Sequence, residues 1–171
     1  MRTLDPIDLR LLSLLQENAQ RTADELSREV PLSPSAIARR LRRLRESGAI
    51  TAEIAILDLA SGPFLSAVIE VKLDRHTVSG VEALLRRLAG SPNVQVLMEV
   101  SGPFDLMLVV VTPDMDAFNA FADTELANDP AVQRYETRFV KKRRKFTPAL
   151  PLAGSGSRPR RVAQERSQSG G

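Results

Sequence analysis

The sequence predicts an α+β chain in two parts, a small helical unit followed by a βαββαβ sandwich. Three observations predict it. Apolar residues recur at helical spacing three times before residue 50, strand and helix patterns alternate between Leu65 and Phe139, and Gly, Pro, Ser, Asn or Asp punctuate the ends of the elements.

The first helix is capped by Asp5, with Pro6 in the tolerated first position and Ile7, Leu11, Leu14 and Leu15 along one face. Thr22 to Glu25 forms a capping box that opens the second helix, whose apolar face is Ala23, Leu26 and Val30. The third starts at Ser33 and Pro34 and buries Ile37, Leu41 and Leu44. Advancing about 100° per residue from Ile37 turns Ser35, Arg39, Arg42, Arg43 and Glu46 away from the core and leaves Arg40 at the border. Arginines behind small residues at a helix N-terminus suit a helix lying in a DNA major groove. The small residues let the backbone approach, and arginine pairs with guanine edges or phosphates. A solvated basic face is the competing reading, against which the two preceding helices and the tight turn favour the helix-turn-helix. The candidate DNA contacts are Ser33, Ser35, Ala36, Arg39, Arg40, Arg42 and Arg43.

Gly48, Ala49 and Ile50 close the third helix, and the alternation from Thr51 to Leu57 predicts a linking strand. Leu65, Ala67, Ile69, Val71 and Leu73 alternate as a strand with one buried face. Ser79 to Glu82 reads as a capping box for a helix striped by Val81, Leu84, Leu85 and Leu88 and stopped at Gly90, Ser91 and Pro92. Strands over Val94–Ser101 and Leu106–Val111 flank the tight turn Gly102-Pro103-Phe104-Asp105. A helix from Asp114 to Ala127 points Met115, Phe118, Phe121 and Ala122 inward, and Val132–Phe139 is the last strand. The order βαββαβ is that of a ferredoxin-like sandwich. Leu106 to Val111 is apolar at every position, so both faces of that strand need cover. The helices supply one side, and a second copy of the sheet is the simplest cover for the other, which implies a homodimer. The expected division is a helix-turn-helix domain over 1–50, a linking strand or hinge over 51–63, the βαββαβ domain over 64–152, and a disordered basic tail over 153–171.

Composition narrows the chemistry. With no Cys and one His in 171 residues, disulfides, thiol nucleophiles, zinc fingers and multi-histidine metal sites are excluded, and no cofactor or metal is implied. The absence of a membrane-length apolar run and of a secretory start predicts a cytoplasmic protein that does not engage membranes. The net charge of +3 conceals a strong asymmetry: +2 over residues 1–50, −8 over 51–137 and +9 over 138–171. Basic ends around an acidic middle point the ends toward a polyanion. The run Lys141-Lys142-Arg143-Arg144-Lys145 and the basic tail suit either salt-sensitive phosphate contacts or a solubilising extension.

Taken in order, an N-terminal helix-turn-helix, a linking strand and a βαββαβ domain with a Gly-x-aromatic-Asp turn resemble the Lrp/AsnC family of feast/famine transcriptional regulators. The resemblance runs from Leu4 to about Leu152. It rests on Leu4-Asp5, Asp8, Leu26, Ser33, Arg40, Leu44, Gly48 and Ile50, then on Gly102-Pro103-Phe104-Asp105, Val132, Thr137 and Leu150-Pro151-Leu152. It implies a winged helix-turn-helix on double-stranded DNA and a second domain of the RAM type that dimerises. Dimers would assemble into tetramers or octamers, and a free amino acid would bind near the turn. Carried onto this chain, the effector site is Val100, Ser101, Gly102, Pro103, Phe104, Asp105 and Thr137. Turn amides can hold a carboxylate, Asp105 an ammonium, and Phe104 can wall the pocket; a plain hairpin turn in which Asp105 bonds its own backbone accounts for the same residues. The chain departs from the family pattern at Pro31, where Gly is usual, at Ala52-Glu53, where a Gly-aromatic pair is usual, and at Pro103, which removes one amide.

Two other functions compete. Decarboxylases of alternative haem synthesis resemble the same architecture, and that likeness would imply a histidine and basic residues around a porphyrin carboxylate. The one histidine, His76, stands in the loop after the first strand, and no acid–base pair or activated nucleophile accompanies it. An RNA-binding sheet would want aromatic residues on its middle strands, and Leu106–Val111 has none. The expectation is a DNA-binding regulator rather than an enzyme.

Overall fold

The computed structural model describes residues 4–57, 62–74 and 78–152. The chain divides into two compact units, one formed by residues 1–56 with 147–171 and the other by 57–146. The predicted tail 153–171, His76 and part of the hinge lie outside the described residues.

The first unit holds α1 (Pro6–Glu17), α2 (Ala23–Leu26) and α3 (Pro34–Glu46). Asp5 caps α1 through a complete capping box. It accepts from the Asp8 amide at 2.7 Å while Asp8 accepts from its own amide at 3.4 Å. Thr22 and Glu25 cap α2 in the same reciprocal way. Regular helix there ends at Leu26, short of the predicted stripe, yet Val30 still reaches the core from the turn that follows. Ser33 caps α3, and Gly48 ends it at φ +73, a left-handed position that lets the Ile50 amide turn back to the Leu44 carbonyl at 3.1 Å. Leu11, Leu14, Leu26, Ile37 and Leu44 fill a closed core between the three helices.

The chain's far end returns to this unit. Gln16 on α1 donates to the Leu150 carbonyl at 3.1 Å and accepts from the Leu150 amide at 2.6 Å, so one side-chain amide clasps both backbone groups of a single residue. Residues 147–152 therefore group with the helices and not with the sandwich in which the sequence places them. Thr51–Leu57 is not a strand. It pairs with no neighbour among the described residues, and Ile54, Ile56 and Leu57 are left exposed; alternation alone cannot make a strand without a partner edge.

The second unit carries β1 (Leu65–Leu73), α4 (Val78–Gly90), β2 (Val94–Glu99), β3 (Leu106–Thr112), α5 (Met115–Ala122) and β4 (Val132–Phe139), with a π-helical turn at Asp123–Ala127 extending α5. The sheet order is β2-β3-β1-β4, every pair antiparallel. The α4 helix already includes Val78, so it begins before the start expected at Ser79. Met115, expected inward, is exposed at the first turn of α5, which Asp114 caps. One sheet face meets the helices: Ala67, Ile69, Val71, Leu106, Leu108 and Val110 are fully buried against Leu84, Leu88, Phe118 and Phe121. The register puts Val68 opposite Val109, Ser66 opposite Val111 and Glu70 opposite Met107 on the other face, where burial is only partial. The alternation is that of a sheet covered on one side. Among the described residues no helix is long and apolar enough to cross a membrane.

Leu108 pairs with Ile69 and Leu97 at the centre of the covered face. Leu108→Ala should cost about 2–5 kcal/mol in urea unfolding, whereas an outward change such as Ser66→Ala should cost under about 0.5 kcal/mol.

Candidate functional site

Four of the five arginines of α3 fall into two pairs, and the fifth, Arg45, donates to Glu53 at 2.8 Å. Arg40 donates to Asp5 at 2.5 Å and to Asp8 at 2.8 Å, and Arg43 donates to both Asp8 oxygens at 2.9 and 2.7 Å. The Asp8 side chain is only 4% exposed, so these bonds supply a desolvated carboxylate with its partners. The same two aspartates that cap α1 thus hold α3 in place. The Arg40 hydrogen bond, helped by the Asp8 amide, holds the Asp5 carboxyl below the ordinary aspartate range, and the guanidinium is raised in return.

Arg39 and Arg42 are the other pair. Both are exposed, and neither makes an ion pair among the described residues. Ser35 and Ala38 are exposed beside them and Ala36 is half-buried, which leaves a shallow surface at the N-terminal half of the helix. The Ser33 hydroxyl accepts from the Ala36 amide at 3.3 Å and lies 3.2 Å from the Ser35 hydroxyl. Of the candidate DNA contacts, then, Arg40 is committed to the fold, Arg43 is tethered at one nitrogen with its side chain 45% exposed, and Arg39 and Arg42 are unencumbered. The helical spacing had placed Arg40 at the border of the buried face. The acidic partners 32 and 35 residues earlier carried no local sequence signal.

In the second unit the turn from Val100 to Asp105 is closed by the Val100 amide, which donates to the Asp105 carbonyl at 2.9 Å. Gly102 sits at φ +137, a conformation that disfavours any side chain. The Asp105 carboxylate reaches across to β1. That group accepts from the Leu73 amide at 3.0 Å and pairs with Lys72 at 3.0 Å, tying the turn to β1. Phe104 is buried under the Arg134 guanidinium, 4.9 Å from the ring centroid. Thr137 is not brought to the turn. It pairs with Ile69, whereas the Asp105 amide bonds the Val71 carbonyl further along β1. Lys72 and Arg134 are site residues that the sequence reading did not single out; strand alternation put both on the open sheet face, the one available hint.

The comparisons agree on one family. The AsnC-type helix-turn-helix domain matches residues 4–45 and the Lrp/AsnC ligand binding domain matches residues 66–150. The Bkd operon transcriptional regulator of Pseudomonas aeruginosa is 32% identical over 89% of this chain and 100% of its own. The chain belongs to the Lrp/AsnC family. The transcriptional regulator AzlB of Bacillus subtilis is 30% identical over 87% of this chain and 96% of its own. Among solved structures, a transcriptional regulator of Neisseria meningitidis in complex with L-Met superposes with a TM-score of 0.78 at 34% identity, covering 88% of this chain and 98% of that one. The chain is a helix-turn-helix DNA-binding transcriptional regulator, and the decarboxylase reading of the architecture is set aside.

The Asp5 carboxylate sits below its unfolded pKa, so its contribution is complete above about pH 4 and is lost as pH falls through the folded value. Hydrogen exchange of α1–α3 amides should show protection falling as pH drops below about 4, with that component absent in Asp5→Asn. Identical profiles for the two proteins would contradict the assignment. Asp8→Ala, which strands two guanidinium partners, should cost about 1–3 kcal/mol at neutral pH.

Proposed function

We propose that α3 reads the operator through Arg39 and Arg42, with Ser35 and Ala36 at the close approach and Arg43 reaching phosphate with its unbonded nitrogens. The observation that carries this reading is the division of the arginines: Arg40 and Arg43 meet Asp5 and Asp8, Arg45 meets Glu53, and Arg39 and Arg42 stay exposed with no ion pair among the described residues. Arginine bidentate to guanine is worth about 1–3 kcal/mol of discrimination per contact. The regulator binds as a homodimer whose two α3 helices meet successive half-sites. Its interface is the open sheet face, where Val68, Met98, Met107, Val109 and Val111 form a half-covered apolar surface. The exposed Ile54 and Ile56 supply a further apolar strip for the second copy. Further assembly of dimers follows the family pattern, and the cytoplasm is the compartment such a regulator requires.

The effector is a free amino acid held at the Val100–Asp105 turn. Support comes from the matched ligand-binding domain and from the Neisseria relative solved with L-Met. The amides of Ser101, Gly102 and Phe104 bond nothing among the described residues, and so they are the donors for its carboxylate. Asp105, held against β1 by Lys72 and the Leu73 amide, keeps lone pairs with which its carboxylate would meet the ammonium.

Genomic fragments recovered with the purified protein supply the operator. Arg39→Ala with Arg42→Ala should lower operator affinity by at least about 100-fold and erase preference over a scrambled duplex while leaving the oligomer intact. Unchanged preference would contradict the assignment. Val109→Glu should shift sedimentation toward the monomer, because a charge at the centre of an apolar interface is desolvated without a partner. A thermal-shift screen of the twenty amino acids should find at least one that raises the melting temperature of the wild type and leaves Gly102→Val unmoved.

A further inference from the structure

The run Lys141-Lys142-Arg143-Arg144-Lys145 has no structural employment. All five side chains are exposed, the backbone belongs to no helix or strand, and none of the five makes an ion pair among the described residues. Carboxylates are plentiful in the same unit, but Glu70, Asp105, Glu125 and Asp129 are engaged by Arg138, Lys72 and Arg87. Arg143 lies over the Phe146 ring at 5.0 Å, a contact that uses the cation's face and leaves its N–H edges outward.

Chain connectivity limits where this charge can go. Leu150 is pinned to α1 by Gln16, and five Cα–Cα steps of chain separate it from Lys145, about 18 Å at full extension. Five adjacent positive charges are thereby leashed to the unit that carries α3. Duplex DNA presents one phosphate charge per about 1.7 Å of axis, so a run of this length meets several at once. The run has no helix or ribbon to enter a groove, and its one neighbouring aromatic ring is covered by Arg143, which removes the stacking platform that single strands require.

We infer that residues 141–145 form a second DNA contact, a sequence-blind clamp on the phosphates flanking the site read by α3. The inference rests on α3 being the DNA-reading helix. The clamp contributes affinity and salt dependence, and α3 contributes choice of sequence.

The test replaces all five residues by Gln and measures affinity for the recovered operator duplex and a scrambled duplex between 50 and 200 mM KCl. Each phosphate released changes the slope of log K against log salt by about 0.9. The Gln variant should therefore be shallower than wild type by about 3 to 4 per protomer, with the ratio of operator to scrambled affinity unchanged. A variant exchanging each Lys for Arg and each Arg for Lys should keep the wild-type slope, because neutralisation depends on charge. The melting temperature should stay within about 1 °C, since the run's one ring contact, Arg143 over Phe146, is itself exposed; if it moves, pairwise changes at Lys141 with Lys142 and at Arg144 with Lys145 should each lower the slope by about 2. An unchanged slope in the Gln variant, an equal loss in the exchanged variant, or an effect confined to single-stranded RNA of the same sequence would overturn the clamp. Failure of wild type to prefer any duplex would overturn the α3 reading beneath it, a distinct result.

Discussion

The carboxylate of Asp8 is the constraint on which the DNA-facing surface depends. It is buried at the start of α1, where a bare charge would be costly, and Arg40 and Arg43 reach it from α3. With Asp5, it performs two tasks with one set of atoms: closing the capping box of α1 and fixing the rotation of α3 about its own axis. Rotation matters because a turn of 100° per residue would bring a different pair of arginines outward. With Arg40 and Arg43 tethered to the two aspartates, Arg39 and Arg42 are left exposed without an acidic partner among the described residues.

The second unit depends on a different constraint, the one-sidedness of its sheet. Two helices cover the face of Ile69 and Leu108, and the register leaves Val68, Val109 and Met107 on the face they do not reach. A sheet half covered by its own helices is stable enough to fold and still has apolar area that the proposed homodimer would use. The turn at Gly102 sits at one end of this sheet, bound to β1 by Asp105. A ligand that orders the turn acts directly on the strand shared by β3 and β4.

Legibility in the sequence followed the range of the interaction. The cap at Asp5, the capping box at Thr22, the proline starts of α1 and α3, the alternation of β1 and the span of β4 are local, and each stands where the sequence puts it. The expected strand at Thr51–Leu57 failed because alternation specifies a face and says nothing of a partner. The helix start expected at Ser79 failed because α4 already includes Val78. Within the candidate sites, local spacing found the α3 surface and the Gly102 turn. The sorting of its arginines by Asp5 and Asp8, the hold of Lys72 on Asp105, and the clasp of Leu150 by Gln16 join residues 32 to 134 positions apart, and no periodicity reports such pairs.

In the proposed complex α3 enters the major groove with Arg39 and Arg42 against guanine edges. Methylation interference on the operator tests it most directly, because methyl groups at guanine N7 occupy the acceptor that arginine uses. The account predicts interference at discrete guanines in two half-sites about one helical turn apart, lost at individual positions when Arg39 or Arg42 is replaced singly. Interference absent from guanine N7, with protection confined to the sugar–phosphate backbone, would contradict it.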